Sequence, residues 1–276
     1  MNFVCSDFEF TQQSPQSNNH HNSTIIQTIK KLSDSLVIIP TYNEKENVEN
    51  IIRAVFSLDK AFDVLIIDDG SPDGTAAIVQ MLFREFPNRL FLEQRTGKLG
   101  LGTAYIHGFK WALERSYEYI FEMDADFSHN PKDLVRLYKA AGAPGVGMSV
   151  GSRYVRGGKV ENWPFDRIFI SYGASLYVRM ITWMPIKDPT AGFVCYRREA
   201  LERLDFDKIR FIGYAFQIEM KFATRSLGYK IKEVPITFTD RIEGVSKMSK
   251  GIVTEAIYGV IKMKWRSFSD TYELAS

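Results

Sequence analysis

A chain of 276 residues is long enough for one large domain or two modest ones. Lys and Arg number 35 against 33 Asp and Glu, and the net charge of +2 excludes the strongly basic field of a nucleic-acid binder. With 45% hydrophobic and 25% charged residues the chain is neither wholly disordered nor fibrous. Two cysteines, Cys5 and Cys195, are too few for a disulfide framework and lack the spacing of a zinc site.

Residues 1–34 are rich in Ser, Gln, Asn and Thr, with His20 beside His21. They carry too little apolar surface to offset their ordering entropy, so a disordered tail is expected. The same stretch has neither the basic start nor the apolar run of a secretory signal. The apolar run 36–39 stops at Pro40 and predicts a buried strand. A helix follows over 46–56, then a strand at 64–67, a helix over 72–86 and a strand at 89–93. A glycine-rich turn leads into a helix over 103–115, followed by a strand at 119–123, a helix over 131–140 and a strand at 147–152. This alternation predicts a Rossmann-like α/β fold, a mostly parallel sheet with helices on both faces. Beyond Arg156 the periodicity is less regular. Helices are expected at 165–182, 214–227 and 250–267, with extended segments at 193–197 and 230–241. One domain over 35–268 with a C-terminal helical elaboration, then a tail over 269–276, is the simplest division. No run approaches the roughly 20 apolar residues that span a bilayer. The nearest, 252–263, contains Glu255 and Lys262.

Ligands of open α/β sheets sit beyond the carboxyl ends of the strands. Polar clusters stand at three of those ends: Pro40-Thr41-Tyr42-Asn43-Glu44, Asp68-Asp69-Gly70-Ser71-Pro72-Asp73, and Asp124-Ala125-Asp126. In an extended tip Asp124 and Asp126 point the same way. Two such carboxylates suit a hard cation, Mg²⁺ or Mn²⁺, which bridges protein oxygens to substrate phosphates. Asp68 and Asp69 suit either helix capping or a nucleobase or ribose, and Asp73 suits a cap. The turn 97–102 lacks both the Gly-Lys-Ser/Thr ending of a P-loop and the spacing of a dinucleotide fingerprint, so it reads as a tight helix entry.

VIIPTYNEKENV, VLIIDDGSPDGT, MDADFSHNP, GSRY and the run 188–193 (DPTAGF), in this order, resemble the family-2 inverting glycosyltransferases of GT-A fold. More narrowly they resemble the polyprenol (dolichol) phosphate mannosyltransferases, over residues 36–263. The resemblance implies transfer of a sugar, mannose from GDP-mannose, onto a polyprenyl phosphate. It implies that Pro40, Tyr42 and Glu44 line the nucleotide site and that Asp69 lies near the base or ribose. Asp124 and Asp126 then hold the metal and the diphosphate, with Ser128 at the position of a third ligand. Arg153, Arg167 and Ser171 resemble the acceptor-phosphate cluster, for which the planar fork of arginine is suited. Arg241 and Lys247, in RIEGVSK, resemble a loop that closes over the donor diphosphate. With Asp126 they make up the expected catalytic set.

A phosphate monoester has a second pKa near 6, so it arrives ionised and needs no strong base. Glu219 is held as a reserve base, against a role in orienting the 188–193 loop. Two other functions keep the same fold: transfer to a glycan hydroxyl, and a non-catalytic scaffold that retains a nucleotide-sugar pocket. A dinucleotide oxidoreductase is excluded by a first strand that ends without the glycine fingerprint. The implied acceptor lives in a bilayer, so peripheral association with the cytoplasmic membrane face is expected, directly or through an anchoring partner subunit. An apolar face of Ile252, Val253, Ala256, Ile257, Val260 and Ile261, with Trp265 and Phe268, suits either that surface or cover for the sheet.

Overall fold

The computed structural model describes residues 33–213, 215–240, 250–266 and 271–274, and the side chains of the last long helix from residue 258 onward. The described residues from Ser33 onward form one compact unit. Arg241, Lys247, the segment 1–32, Phe268 and the side chains of Ile252, Val253, Ala256 and Ile257 lie outside the described residues.

Nine strands alternate with eight α-helices among the described residues. The strands are β1 (Ser35–Thr41), β2 (Asp63–Asp68), β3 (Leu90–Gln94), β4 (Tyr119–Glu122), β5 (Val146–Ser152), β6 (Lys159–Glu161), β7 (Val194–Arg197), β8 (Lys230–Pro235) and β9 (Thr237–Thr239). The helices are α1 (Val48–Phe56), α2 (Thr75–Leu82), α3 (Leu101–Leu113), α4 (Asp133–Ala141), α5 (Phe165–Thr182), α6 (Arg198–Glu202), α7 (Ala215–Ser226) and α8 (Lys250–Arg266). Seven strands make one sheet in the order β3-β2-β1-β4-β7-β5-β8. All its pairings are parallel except β4–β7 and β7–β5. The mostly parallel α/β fold expected from the alternation is therefore present.

Period-two alternation divides β1 between two cores. Leu36 and Ile38 face one core with Tyr105 and Phe109 of α3, Phe216 of α7 and Met263 of α8. Val37 and Ile39 face the other with Ile51 of α1, Val79 of α2 and Leu134 of α4. Both faces are covered, which is why the central strands are apolar throughout. Gly108 lets α3 approach the sheet, because a Cβ there would come within 2.8 Å of Ile38.

The segment at 193–197 takes a place that periodicity does not foretell. As β7 it runs antiparallel between β4 and β5, with Glu122 opposite Val194 and Val150 opposite Val194 on the other side. Its start, preceded by the loop 188–193, thus lies at the same sheet edge as the carboxyl ends of β1, β2, β4, β5 and β8. The stretch 230–241 is not one strand. It breaks at Ile236, which is buried, and β9 leaves the main sheet to pair in parallel with β6. Residues 271–274, within the stretch read as a tail, dock on the core: Tyr272 is buried and Glu273 bridges to Leu204.

Phe121, at the centre of β4, is fully buried with its ring edge-on to Phe62 at 5.4 Å. Phe121→Ala is expected to cost about 3–5 kcal/mol of stability. Urea denaturation would show this as a lower midpoint with an unchanged slope.

Candidate active site

Two loops at the β1 and β2 ends are stitched together by side chains. The backbone N–H groups of Asn43, Glu44 and Lys45 donate to Ser71 Oγ (3.0 Å), Thr75 Oγ1 (3.1 Å) and Asp73 Oδ2 (3.1 Å). Asp73 also accepts from the Thr75 N–H at 3.0 Å, although the N-cap of α2 is Gly74, the residue after it. Asp68 is fully buried and accepts from Thr41 Oγ1 (2.9 Å), Ser71 Oγ (2.5 Å) and the Ser71 N–H (2.9 Å). Its carboxylate is structural. Asp69 meets Arg95, which donates to its Oδ1 through Nε at 2.6 Å and also reaches Thr103 Oγ1 at 2.8 Å. Sequence reasoning passed over Arg95, because an isolated arginine carries no spacing signal. Pro40, Tyr42 and Glu44 are half-buried along this edge, and the Lys98 ammonium lies 5.3 Å over the Tyr42 ring.

The end of β4 turns rather than running on extended. Phe127 has a φ of 59°, and Asp126 accepts the Ser128 N–H at 3.0 Å. Asp126 and Ser128 are buried by this turn, whereas the Asp124 side chain stays 39% exposed. The His129 ring stacks on Phe193 at 4.8 Å, and its Nδ1 faces the Asp124 N–H at 3.5 Å. Burial, reinforced by Arg153, pulls its pKa down to about 4, so the imidazole is neutral and packs. Among the described residues no three His, Cys, Asp or Glu side chains converge to hold a metal. Two hard carboxylates fit Mg²⁺ or Mn²⁺, which keep water and substrate phosphate in the remaining positions.

Behind this tip, Glu122 is fully buried and accepts from Tyr196 OH (3.1 Å) and Gln217 Nε2 (2.6 Å). Buried Lys221 donates to Gln217 Oε1 (3.3 Å) and to the Ala191 carbonyl (2.6 Å). Burial pushes the Glu122 carboxyl up and the Lys221 ammonium down. A lysine inside the apolar helix AFQIEMKFA was the available signal for this network.

The acceptor-type residues also converge. Arg153, following β5, donates to Asp188 through Nε and Nη2, both at 2.7 Å, and to Thr190 Oγ1 at 2.8 Å. Asp188 is fully buried. Burial pushes its pKa up, but Arg153 outweighs this and holds it below the ordinary carboxylate range. Arg167 donates to Asp240 at 2.8 Å and lies 4.1 Å over the Trp163 ring, which also carries the Arg153 guanidinium at 5.6 Å. Ser171 Oγ accepts from Tyr154 OH at 2.8 Å. Arg153, Arg167 and Ser171 are thus joined through Tyr154, the last residue of GSRY, and through Trp163, which sequence reasoning did not single out. Phe238 stands edge-on to both Trp163 (5.3 Å) and His129 (5.4 Å), linking this cluster to the acidic tip.

Glu219 is neither a base nor an orienter of the 188–193 loop. It is fully buried and accepts from the N–H groups of Arg210 (2.7 Å) and Phe211 (2.9 Å), from Arg266 (2.6 Å) and from Tyr272 OH (3.0 Å). It ties α7 to the C-terminal segment.

Asp188→Asn strands a buried guanidinium and is expected to cost about 3–5 kcal/mol at neutral pH. The unfolded carboxyl titrates near 4 and the folded one lower, so the unfolded state binds more protons and stability falls as pH drops below about 4. Urea titrations from pH 7 to pH 3 would show a shallower acid decline in the variant than in the parent.

Comparison with known proteins gives the chain's family and fold. The polyprenol monophosphomannose synthase of Mycolicibacterium smegmatis is 46% identical over 233 residues, 84% of this chain and 88% of its own. The undecaprenyl-phosphate mannosyltransferase of Micrococcus luteus is 46% identical over 227 residues, covering 82% and 92%. Among solved structures, a Pyrobaculum calidifontis mannosyltransferase in complex with GDP-Man and Mn²⁺ superposes with a TM-score of 0.54 at 18% identity, over 92% of this chain and 72% of that one. Glucosyl-3-phosphoglycerate synthase of Mycobacterium tuberculosis, with Mn²⁺ and UDP, gives 0.58 at 16% identity, covering 92% and 85%. The model of glycosyl transferase family 2 matches residues 36–205, which hold the stitched loops, the acidic tip and the arginine cluster, and the chain belongs to that family.

Proposed function

We propose that this protein transfers mannose from GDP-mannose to the phosphate of a polyprenyl lipid, inverting the anomeric centre. The observation that carries the reading is the 46% identity to two relatives named for mannosyl transfer to such lipids, spread over more than four-fifths of this chain. The site supports it. Carboxylates and stitched loops form the donor side, and two arginines and a serine form a cluster beside it.

Pro40, Tyr42, Glu44 and Asp69 line the nucleotide site, and Arg241 and Lys247, outside the described residues, would neutralise the diphosphate. Asp124 and Asp126, with the Ser128 hydroxyl as a third oxygen, would hold Mg²⁺ or Mn²⁺. That ion would neutralise charge on the departing diphosphate. Arg167, Arg153 and Ser171 orient the acceptor phosphate. A phosphate oxygen attacks the anomeric carbon, the bond from that carbon to the diphosphate oxygen breaks, and GDP leaves with the electron pair. The acceptor is already an anion at neutral pH, so no proton need be removed. The engagement of Glu219 by four donors accords with a site that has no need of that base.

The membrane-facing surface of this reading is on α5. Phe165, Phe169, Tyr172, Leu176 and Met180 recur at helical spacing and are exposed, and Trp183 follows at 78% exposure. Tyr258 and Trp265 of α8 are exposed as well, whereas Val260 and Met263 are buried in the core. No described helix is long and apolar enough to cross a membrane. An outward apolar stripe on the helix that carries Arg167 and Ser171 suits an interfacial position, with the phosphate site beside the headgroups.

Purified protein with Mn²⁺ and undecaprenyl phosphate is expected to yield mannosyl phospholipid from GDP-mannose, and no glucosyl phospholipid from UDP-glucose, by mass spectrometry. Absence of any glycosyl phospholipid would overturn the reading. Arg167→Ala removes a charge-assisted contact and is expected to lower kcat/KM for the acceptor about 10- to 100-fold with donor KM unchanged. Phe169→Glu with Met180→Glu is expected to abolish co-sedimentation with anionic vesicles without lowering thermal stability. Undiminished sedimentation would remove α5 from the membrane surface.

A further inference from the structure

Trp163 stands in the short turn between β6 and α5. Asn162 before it has a φ of 62°, a left-handed conformation that asparagine tolerates, and Pro164 after it is the N-cap of α5. The parallel pairing of β6 with β9 sets Val160 opposite Phe238 and Glu161 opposite Thr239. One residue further on, the Asp240 N–H donates to the Glu161 carbonyl at 3.1 Å. The ribbon thereby brings Phe238 edge-on to the indole at 5.3 Å and Asp240 to Arg167 at 2.8 Å.

Both arginines of the cluster lie over this one half-buried ring, the Arg167 guanidinium carbon 4.1 Å from its centroid and that of Arg153 5.6 Å away. Two like charges so placed repel, and an indole face is the aromatic surface that attracts cations best. The indole N–H is shut off from solvent and makes no hydrogen bond among the described residues, so what Trp163 contributes is its ring. The two arginines are not equivalent. Arg153 is 9% exposed and commits Nε and Nη2 to Asp188 and Thr190. Arg167 is 34% exposed and gives Nη1 to Asp240. Contact through the face of a guanidinium uses none of its five N–H donors. An arginine held in this way keeps donors for an anion and has already lost rotamer freedom that binding would otherwise have to remove.

We propose that Trp163 is a positioning residue for the acceptor phosphate, its ring fixing the Arg167 guanidinium in the place where the phosphate meets it. This rests on the acceptor role given to Arg167 above. A cation held against an indole face is worth about 3- to 30-fold in the equilibrium it supports.

The test is steady-state kinetics with Mn²⁺, GDP-mannose and undecaprenyl phosphate, with calorimetric binding of GDP as the check on folding. The proteins are the parent, Trp163→Phe, Trp163→Leu, Arg167→Ala and the double variant Trp163→Leu/Arg167→Ala. Trp163→Leu is expected to raise the acceptor KM about 3- to 30-fold, with GDP affinity and the GDP-mannose KM unchanged. Trp163→Phe keeps a smaller ring and is expected to fall between parent and Trp163→Leu. In the Arg167→Ala background Trp163→Leu is expected to add little. A parent-like acceptor KM in Trp163→Leu, an equal loss in both backgrounds, or a loss of GDP affinity as large as that of acceptor use would overturn the proposal and leave the role of Arg167 standing. A parent-like acceptor KM in Arg167→Ala would overturn the acceptor assignment itself, and the role of Trp163 with it.

Discussion

Arg153 and Asp188 meet through two parallel hydrogen bonds where neither charge is open to water, and the second half of the chain is arranged around them. The pair joins the end of β5 to the loop before β7. Glu233 of β8 secures the same loop by accepting the N–H groups of Lys187 and Asp188 at 2.8 and 2.9 Å. Lys221 holds it from beneath through the Ala191 carbonyl. Such a pair adds little stability over a well-packed apolar substitute, yet losing one member leaves a stranded charge. It therefore acts as a constraint on position. Tyr154 follows Arg153 and is delivered to Ser171, while Trp163 and Phe238 pack against the guanidinium.

The donor side is built from neutral and charge-assisted contacts within loops. Asp68 and Asp73 are consumed in holding the β1 and β2 ends together, and Asp69 is held by Arg95. The Asp124 side chain, at the same edge, is 39% exposed. In the proposed function, such a site would offer hard oxygens to a cation and arginines to a phosphate.

Much of this was legible in the chain. The runs at 36–39 and 64–67 are apolar because both faces of a parallel strand are covered, and that pattern needs no partner to be recognised. The polar clusters after β1, β2 and β4 could be placed at one edge because parallel strands end on the same side. Pairings between distant segments were not legible. Nothing local to 193–197 says that it lies antiparallel between β4 and β5, or that β9 leaves the sheet for β6. Arg95, Trp163, Tyr154 and Gln217 each acquire meaning from a neighbour far away in the chain. Glu219 looked like a spare base until its four donors, from three separate segments, were in view.

The sequence by itself determined the order of strands and helices, the glycosyltransferase motifs, and the residue types at the sheet edge. These depend on periodicity and on chemistry carried within a few consecutive residues. Only the tertiary structure decided which carboxylates are buried in architectural hydrogen bonds, and which face of α5 is left apolar and outward. The physical reason is burial. Whether a charge is paired, neutralised or exposed depends on what long-range packing brings against it, and no local pattern records that.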